Sequence, residues 1–87
     1  MSDEFILKIL AADRALYEGS AKSLIFPASD GYFQVLANHE NMIIACEEGE
    51  IRVTVSEGDE KVAKIGEGFV KIISNSVIMV VETAEWK

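Results

Sequence analysis

The residue types needed for nucleophilic catalysis gather in one stretch, "FPASDGYFQVLANHEN" (residues 26–41), which holds Ser29, Asp30 and the single histidine of the chain, His39. Such a set works as a triad only when the serine sits on a strained turn beside an oxyanion hole and the third group orients the imidazole. No G-x-S-x-G elbow surrounds Ser29, so the three residue types alone do not make a hydrolase. His39 with Asp30 or Glu40 is also a poor transition-metal set, because one histidine and no cysteine pair supply too few ligands. The carboxylate spacing fits no EF-hand loop. "GEGF" (residues 66–69) is a lone G-x-G with no lysine or helix after it, and reads as a hairpin turn rather than a phosphate cradle. Nothing among the 15 acidic residues singles out a glycosidase pair. What remains is a polar loop flanked by Tyr32 and Phe33, a composition suited to recognition on a rigid scaffold.

The segments that must hold this loop alternate with a period of two. In "EFILKIL", Phe5, Leu7 and Ile9 share one face and Ile6, Lys8 and Leu10 the other; in "EIRVTVSEG", Ile51, Val53 and Val55 oppose Arg52, Thr54 and Ser56. "ALYEG", "AKSLIF", "NMIIAC", "KVAKIG", "GFVKIIS" and "NSVIMVVET" are further short runs closed by turn residues. The last three of these predict a meander of hairpins, with Gly66, Gly68 and Asn75 at positions that tolerate positive φ. No stretch carries a capped helical stripe. The expected fold class is therefore all-β: a small β-sandwich of about nine or ten short, mostly antiparallel strands, forming one domain over residues 1–87.

"FILKIL" and "SVIMVV" are apolar on both faces. One face fills the core; the other, with no helix in the chain to cover it, predicts burial against a partner. A net charge of -7 repels phosphate backbones and anionic headgroups, so nucleic acid is not an expected partner. "EEGE" and "EGDE" read as soluble turns. Cys46, the lone cysteine, lies in the apolar run "MIIAC" and reads as a small core hydrophobe. The opening "MSDEFILKIL" has neither the basic start nor the long apolar centre of a secretory leader, and no run approaches the roughly 20 apolar residues that span a bilayer.

The 26–41 stretch resembles the signature of the F-type ATP synthase epsilon subunit, in its N-terminal β-sandwich domain. Pro27, Gly31, Phe33, Val35, Leu36 and His39 stand at matching places, and the flanks "DRALYEG", "GEIRV", "GEGFVKI", Asn75 and "VIMVVETAE" extend the match over nearly the whole chain. Ala28 and Gln34 replace glycines of the pattern, and Ala37 and Asn41 replace prolines. The resemblance implies a non-catalytic, cofactor-free rotor subunit of the central stalk, coupling rotation of the membrane c ring to the gamma subunit during proton- or sodium-driven ATP synthesis. It further implies a peripheral position on the cytoplasmic face of the inner or plasma membrane, without direct insertion, within the complete ATP synthase. The chain stops at Lys87, before the pair of C-terminal helices that most relatives carry, so the inhibitory arm is expected to be absent. In the family the signature loop faces the c ring. This implies contact residues Asp30, Gly31, Tyr32, His39 and Glu40, with Asp30 or Glu40 supplying the carboxylate that relatives place where Tyr32 stands. The rival expectation is a free-standing β-sandwich that binds another protein.

Overall fold

Alternation decides the first strand, β1 (Phe5–Ala11): Phe5, Leu7 and Ile9 are buried while Ile6 and Lys8 face outward. The computed structural model describes residues 4–87. The expectation of no secretory leader therefore rests partly on residues 1–3, outside the described ones. Eight further strands follow: β2 (Arg14–Ala28), β3 (Gly31–Leu36), β4 (Met42–Cys46), β5 (Gly49–Val55), β6 (Glu60–Ile65), β7 (Gly68–Ile73), β8 (Ser76–Val81) and β9 (Ala84–Trp86). All pairings among them are antiparallel except β1 with β8.

The nine strands form one continuous sheet in the order β4-β7-β8-β1-β2-β5-β6-β9, with β3 also on β2. The expected "ALYEG" and "AKSLIF" are not two strands but the single 15-residue β2. Its first half pairs β1 from Arg14 to Ala21, and its second half pairs β5 on one side and β3 on the other. Between Ala21 and Ser23 the register with β5 slips, leaving Lys22 unpaired. An extra residue of this kind bends a strand and increases its twist, which carries β2 from one layer to the next. Ala21, fully buried, pairs Phe5 on β1 and Val55 on β5 at this corner.

The inward faces of both layers meet in one core. Phe5, Leu7, Ile9, Leu24, Phe26, Ile51, Val53, Val70, Ile72 and Met79 are essentially inaccessible, and no polar side chain is buried among them. Each such apolar side chain contributes about 1.5–3 kcal/mol on burial.

Two expectations fail here. The meander does not continue from β6 to β7: β6 pairs β5 and β9, whereas β7 pairs β4 and β8, so Gly66 and Glu67 carry the chain between layers. Nor do Gly66 and Gly68 have positive φ, although Asn75 does, at 65°. Gly68 is required for close approach instead. A Cβ there would lie 2.7 Å from Val81 Cα, overlapping the backbone of β8.

Candidate docking site

Ser29 and Asp30 make the tight turn between β2 and β3, with Gly31 at φ 123° completing it. Tyr32 follows on β3 and is 69% exposed. Phe33 faces the other way and packs on Phe26, ring centroids 5.6 Å apart. Beyond the far end of β3 the chain turns through Ala37 and Asn38, and the His39 ring folds back to within 5.5 Å of the Phe33 ring. His39 Nδ1 lies 2.9 Å from the Glu40 carbonyl oxygen. A carbonyl only accepts, so Nδ1 carries a proton and Nε2 is left free for a partner.

The structure thus joins His39 to Phe33 but separates the two halves of the expected site. Asp30, Gly31 and Tyr32 stand at one end of β3, and His39 and Glu40 lie past the other. The strand between them rises about 3.3 Å per residue. No hydrogen bond or ion pair connects Ser29 or Asp30 to His39 among the described residues, so no triad exists there. The five residues line an exposed edge rather than one tip. Among the described residues, no group of three or more His, Cys, Asp or Glu side chains is placed to hold a metal ion.

A second surface is apolar. On the outer face of β4-β7-β8-β1, Leu10, Val80, Phe69 and Ala45 form one cross-strand row, and Lys8, Ile78, Lys71 and Ile43 the next. Ile6 and Ile73 lie beyond, on either side of Ser76. Ile43 is 68% exposed, and Ile6, Ile73 and Phe69 are each more than two-fifths exposed. Lys8 pairs Glu18 at 3.6 Å; Lys71 has no ion-pair partner among the described residues. The outer face of the other layer is mixed: Gln34 bonds Ser23 and Arg52 pairs Glu60, while Tyr32 and Leu36, on the same side of β3 as Gln34, are also exposed. The doubled apolarity of "FILKIL" and "SVIMVV" was the sequence signal for this asymmetry. The contribution of Ile43 and Phe69 follows only from register, of Ile43 with Lys71 on β7 and of Phe69 with Val80 on β8.

An open cleft of about 710 Å³ lies where β4 leaves the sheet, walled by Cys46, Glu47, Glu48, Glu67 and Glu82. The thiol is held in its protonated, weakly nucleophilic form in this setting. Burial, and secondarily the Glu47 carboxylate, push its pKa up to about 11. Since the folded value is raised, the neutral thiol stabilises the fold fully below about pH 9, and that contribution is lost as pH rises through about 11. The expected result is that a thiol reagent at pH 8 labels Cys46 only as fast as the chain unfolds. Labelling at the rate of a free cysteine in native buffer would contradict this.

Comparison with known proteins places this geometry among relatives. The family described as ATP synthase, Delta/Epsilon chain, beta-sandwich domain matches residues 4–87. The ATP synthase epsilon chain of Dichelobacter nodosus is 33% identical over 84 residues, covering 97% of this chain and 59% of that one. The epsilon chain of Ruminiclostridium cellulolyticum is 37% identical over 82 residues, covering 94% and 60%. The chain therefore spans about three-fifths of the length of these relatives. Among solved structures, a chain of the Euglena gracilis mitochondrial ATP synthase, described as OSCP/F1/c-ring, superposes with a TM-score of 0.91 at 19% identity, over 99% of this chain and 55% of that one. A chain of the Tetrahymena thermophila mitochondrial ATP synthase, described as central stalk/c-ring, gives 0.79 at 7% identity, over 92% and 64%. At these identities the superpositions establish the fold.

Proposed function

Because the chain belongs to the ATP synthase delta/epsilon chain family, by its β-sandwich domain, we propose that it works as a central-stalk subunit, coupling rotation of the c ring to the gamma subunit. It performs no bond chemistry of its own. The observation that carries this reading is the apolar outer face of β4-β7-β8-β1. A sandwich core needs only inward side chains, yet Ile6, Ile43, Phe69 and Ile73 stay exposed on one side. Contiguous apolar surface of this kind marks a protein contact, and we assign the gamma subunit to it. Lys71, unpaired in the middle of the face, favours a carboxylate on the partner.

The edge carrying Asp30, Gly31, Tyr32, His39 and Glu40 is then the surface that rests on the ring, placing the protein at the membrane periphery on its cytoplasmic side. Asp30 or Glu40 offers a carboxylate to a basic side chain of a c-subunit loop, a charge-assisted bond stronger than a neutral one. The His39 Nε2 accepts a further donor. Rigidity is what the function requires, since a shaft fitting transmits torque only if its two contact surfaces do not shear, and a continuous hydrogen-bonded sheet supplies that stiffness.

Co-expression with the gamma subunit and the c ring tests the reading. The chain is expected to copurify with both, and Asp30→Lys with Glu40→Lys to weaken the ring contact about tenfold or more while leaving gamma bound. Ring binding unaltered by both reversals would remove the carboxylate from the mechanism. A chain that binds neither partner and stays monomeric would instead be a free-standing binding module.

A further inference from the structure

Three segments far apart in sequence meet at the β7–β8 turn. Asn75 Oδ1 accepts from the Asn38 amide at 2.7 Å, and Asn75 Nδ2 donates to the Glu4 carbonyl at 2.7 Å. The Asn75 carbonyl accepts from the Ile6 amide at 3.1 Å. One residue earlier, the Ser74 amide donates to Asn41 Oδ1 at 2.9 Å. The two anchored asparagines, Asn38 and Asn41, bracket His39 and Glu40.

We propose that Asn75 is a positioning residue: it fastens the 37–41 loop to the sheet whose outer face is apolar, and so sets the geometry with which His39 and Glu40 meet the ring. The proposal rests on the docking assignment made above for that loop. The residue type follows from the chemistry. Ser74 and Asn75 have φ 48° and 65°, the pair of positive values that a two-residue hairpin turn demands and that asparagine tolerates. Its short amide offers one acceptor and two donors, and uses both kinds at once on two different segments. An aspartate would keep the acceptor for Asn38 but turn a second oxygen toward the Glu4 carbonyl. A glycine would keep the turn and delete the clasp.

The same turn joins β7 to β8, whose outward Phe69, Ile73, Ile78 and Val80 belong to the apolar face. The clasp is therefore a short mechanical link between the two docking surfaces. A loop ordered beforehand loses less conformational freedom on binding, so releasing it weakens the ring contact without touching a ring-facing side chain.

The experiment uses the 87-residue chain with Asn75→Gly, Asn75→Asp and Asn41→Ala. Amide exchange reads the loop, and titrations with purified c ring and with purified gamma subunit read the two surfaces. For Asn75→Gly the expected result is exchange at Asn38 faster by about tenfold or more with Val53 in the core unchanged, ring affinity lower by about tenfold, and gamma affinity unchanged. Asn75→Asp, which keeps the acceptor for Asn38 but repels the Glu4 carbonyl, is expected to shift both readouts less, and Asn41→Ala to release Ser74 with a smaller loss of ring affinity. Unchanged exchange at Asn38, or a freed loop with full ring affinity, would overturn the proposal. Should both Asn75 variants fail to fold, Asn41→Ala decides by the same two readouts at Ser74. If the unaltered chain does not bind the ring, the docking assignment fails, and faster exchange at Asn38 alone still establishes that Asn75 holds the loop.

Discussion

Replacing Gly68 by alanine is expected to remove most of the stability of the fold at 25 °C. The cause is steric rather than conformational, since Gly68 is not in the positive-φ region. It pairs with Val81 on β8 and Cys46 on β4, between two strands that cannot both retreat. The added Cβ overlaps the Val80 carbonyl oxygen and comes within 2.7 Å of Val81 Cα, and these are backbone atoms with no rotamer to change. Overpacking in a core costs typically 1–3 kcal/mol, and displacing a strand from its ladder puts this case at about 3 kcal/mol or more. Total stability of a small domain is on the order of 5 kcal/mol, so most of the margin disappears. Gly19→Ala is the control, because its nearest neighbour is the Tyr17 hydroxyl at 3.2 Å, the end of a side chain that can move. Urea denaturation of both variants measures the difference. Equal midpoints would contradict the steric account.

Ile43→Glu is expected to have the opposite profile, with little effect on folding and a large effect on docking. Ile43 sits on the edge strand β4 with most of its side chain in solvent, and exposed substitutions usually change stability by within about 0.5 kcal/mol. In the complex its neighbours across the sheet, Lys71 and Ile78, would be covered as well. A carboxylate there must be desolvated or must keep the interface open. Truncating an apolar anchor at an interface costs about 2 kcal/mol or more, and the buried charge adds to this, so gamma affinity should fall by about 100-fold. Arg52→Gln, on the outer face of the other layer, should leave it unchanged. A calorimetric titration of the two variants distinguishes them, and equal losses would assign gamma to no particular face.

Much of this fold was legible because burial on one face imposes a period of two. Alternation alone predicts the inward sets Phe5-Leu7-Ile9 and Ile51-Val53-Val55 and the surplus of apolar residues on the outer face of β1 and β8, and the structure has both. Continuity and pairing were not legible. Gly19 reads as a strand end, yet β2 runs through it because β1 hydrogen-bonds across that position, where Gly19 pairs Leu7. A glycine marks where the chain can bend, not which strand it will pair with next, and so the pattern around Gly66 predicts a hairpin where the chain crosses between layers.

The candidate site divides in the same way. Tyr32 and His39 stand out by type, but their separation along β3 depends on where that strand begins and ends. The role of Asn75 is set by partners at Asn38 and Glu4. No local pattern announces contacts that distant. Asn75 was visible only as a residue that tolerates its turn.

Methyl resonances give the most direct reading of the docking face. On titration of the labelled chain with unlabelled gamma subunit, the methyls of Ile6, Ile43, Ile73 and Ile78 are expected to shift. Ile25, which pairs Gln34 and Arg52 in the other layer, should stay in place. Shifts at Ile25 with Ile43 and Ile73 unmoved would put the shaft on the wrong side of the sandwich, and no shift at any of them at saturating gamma would remove the shaft altogether.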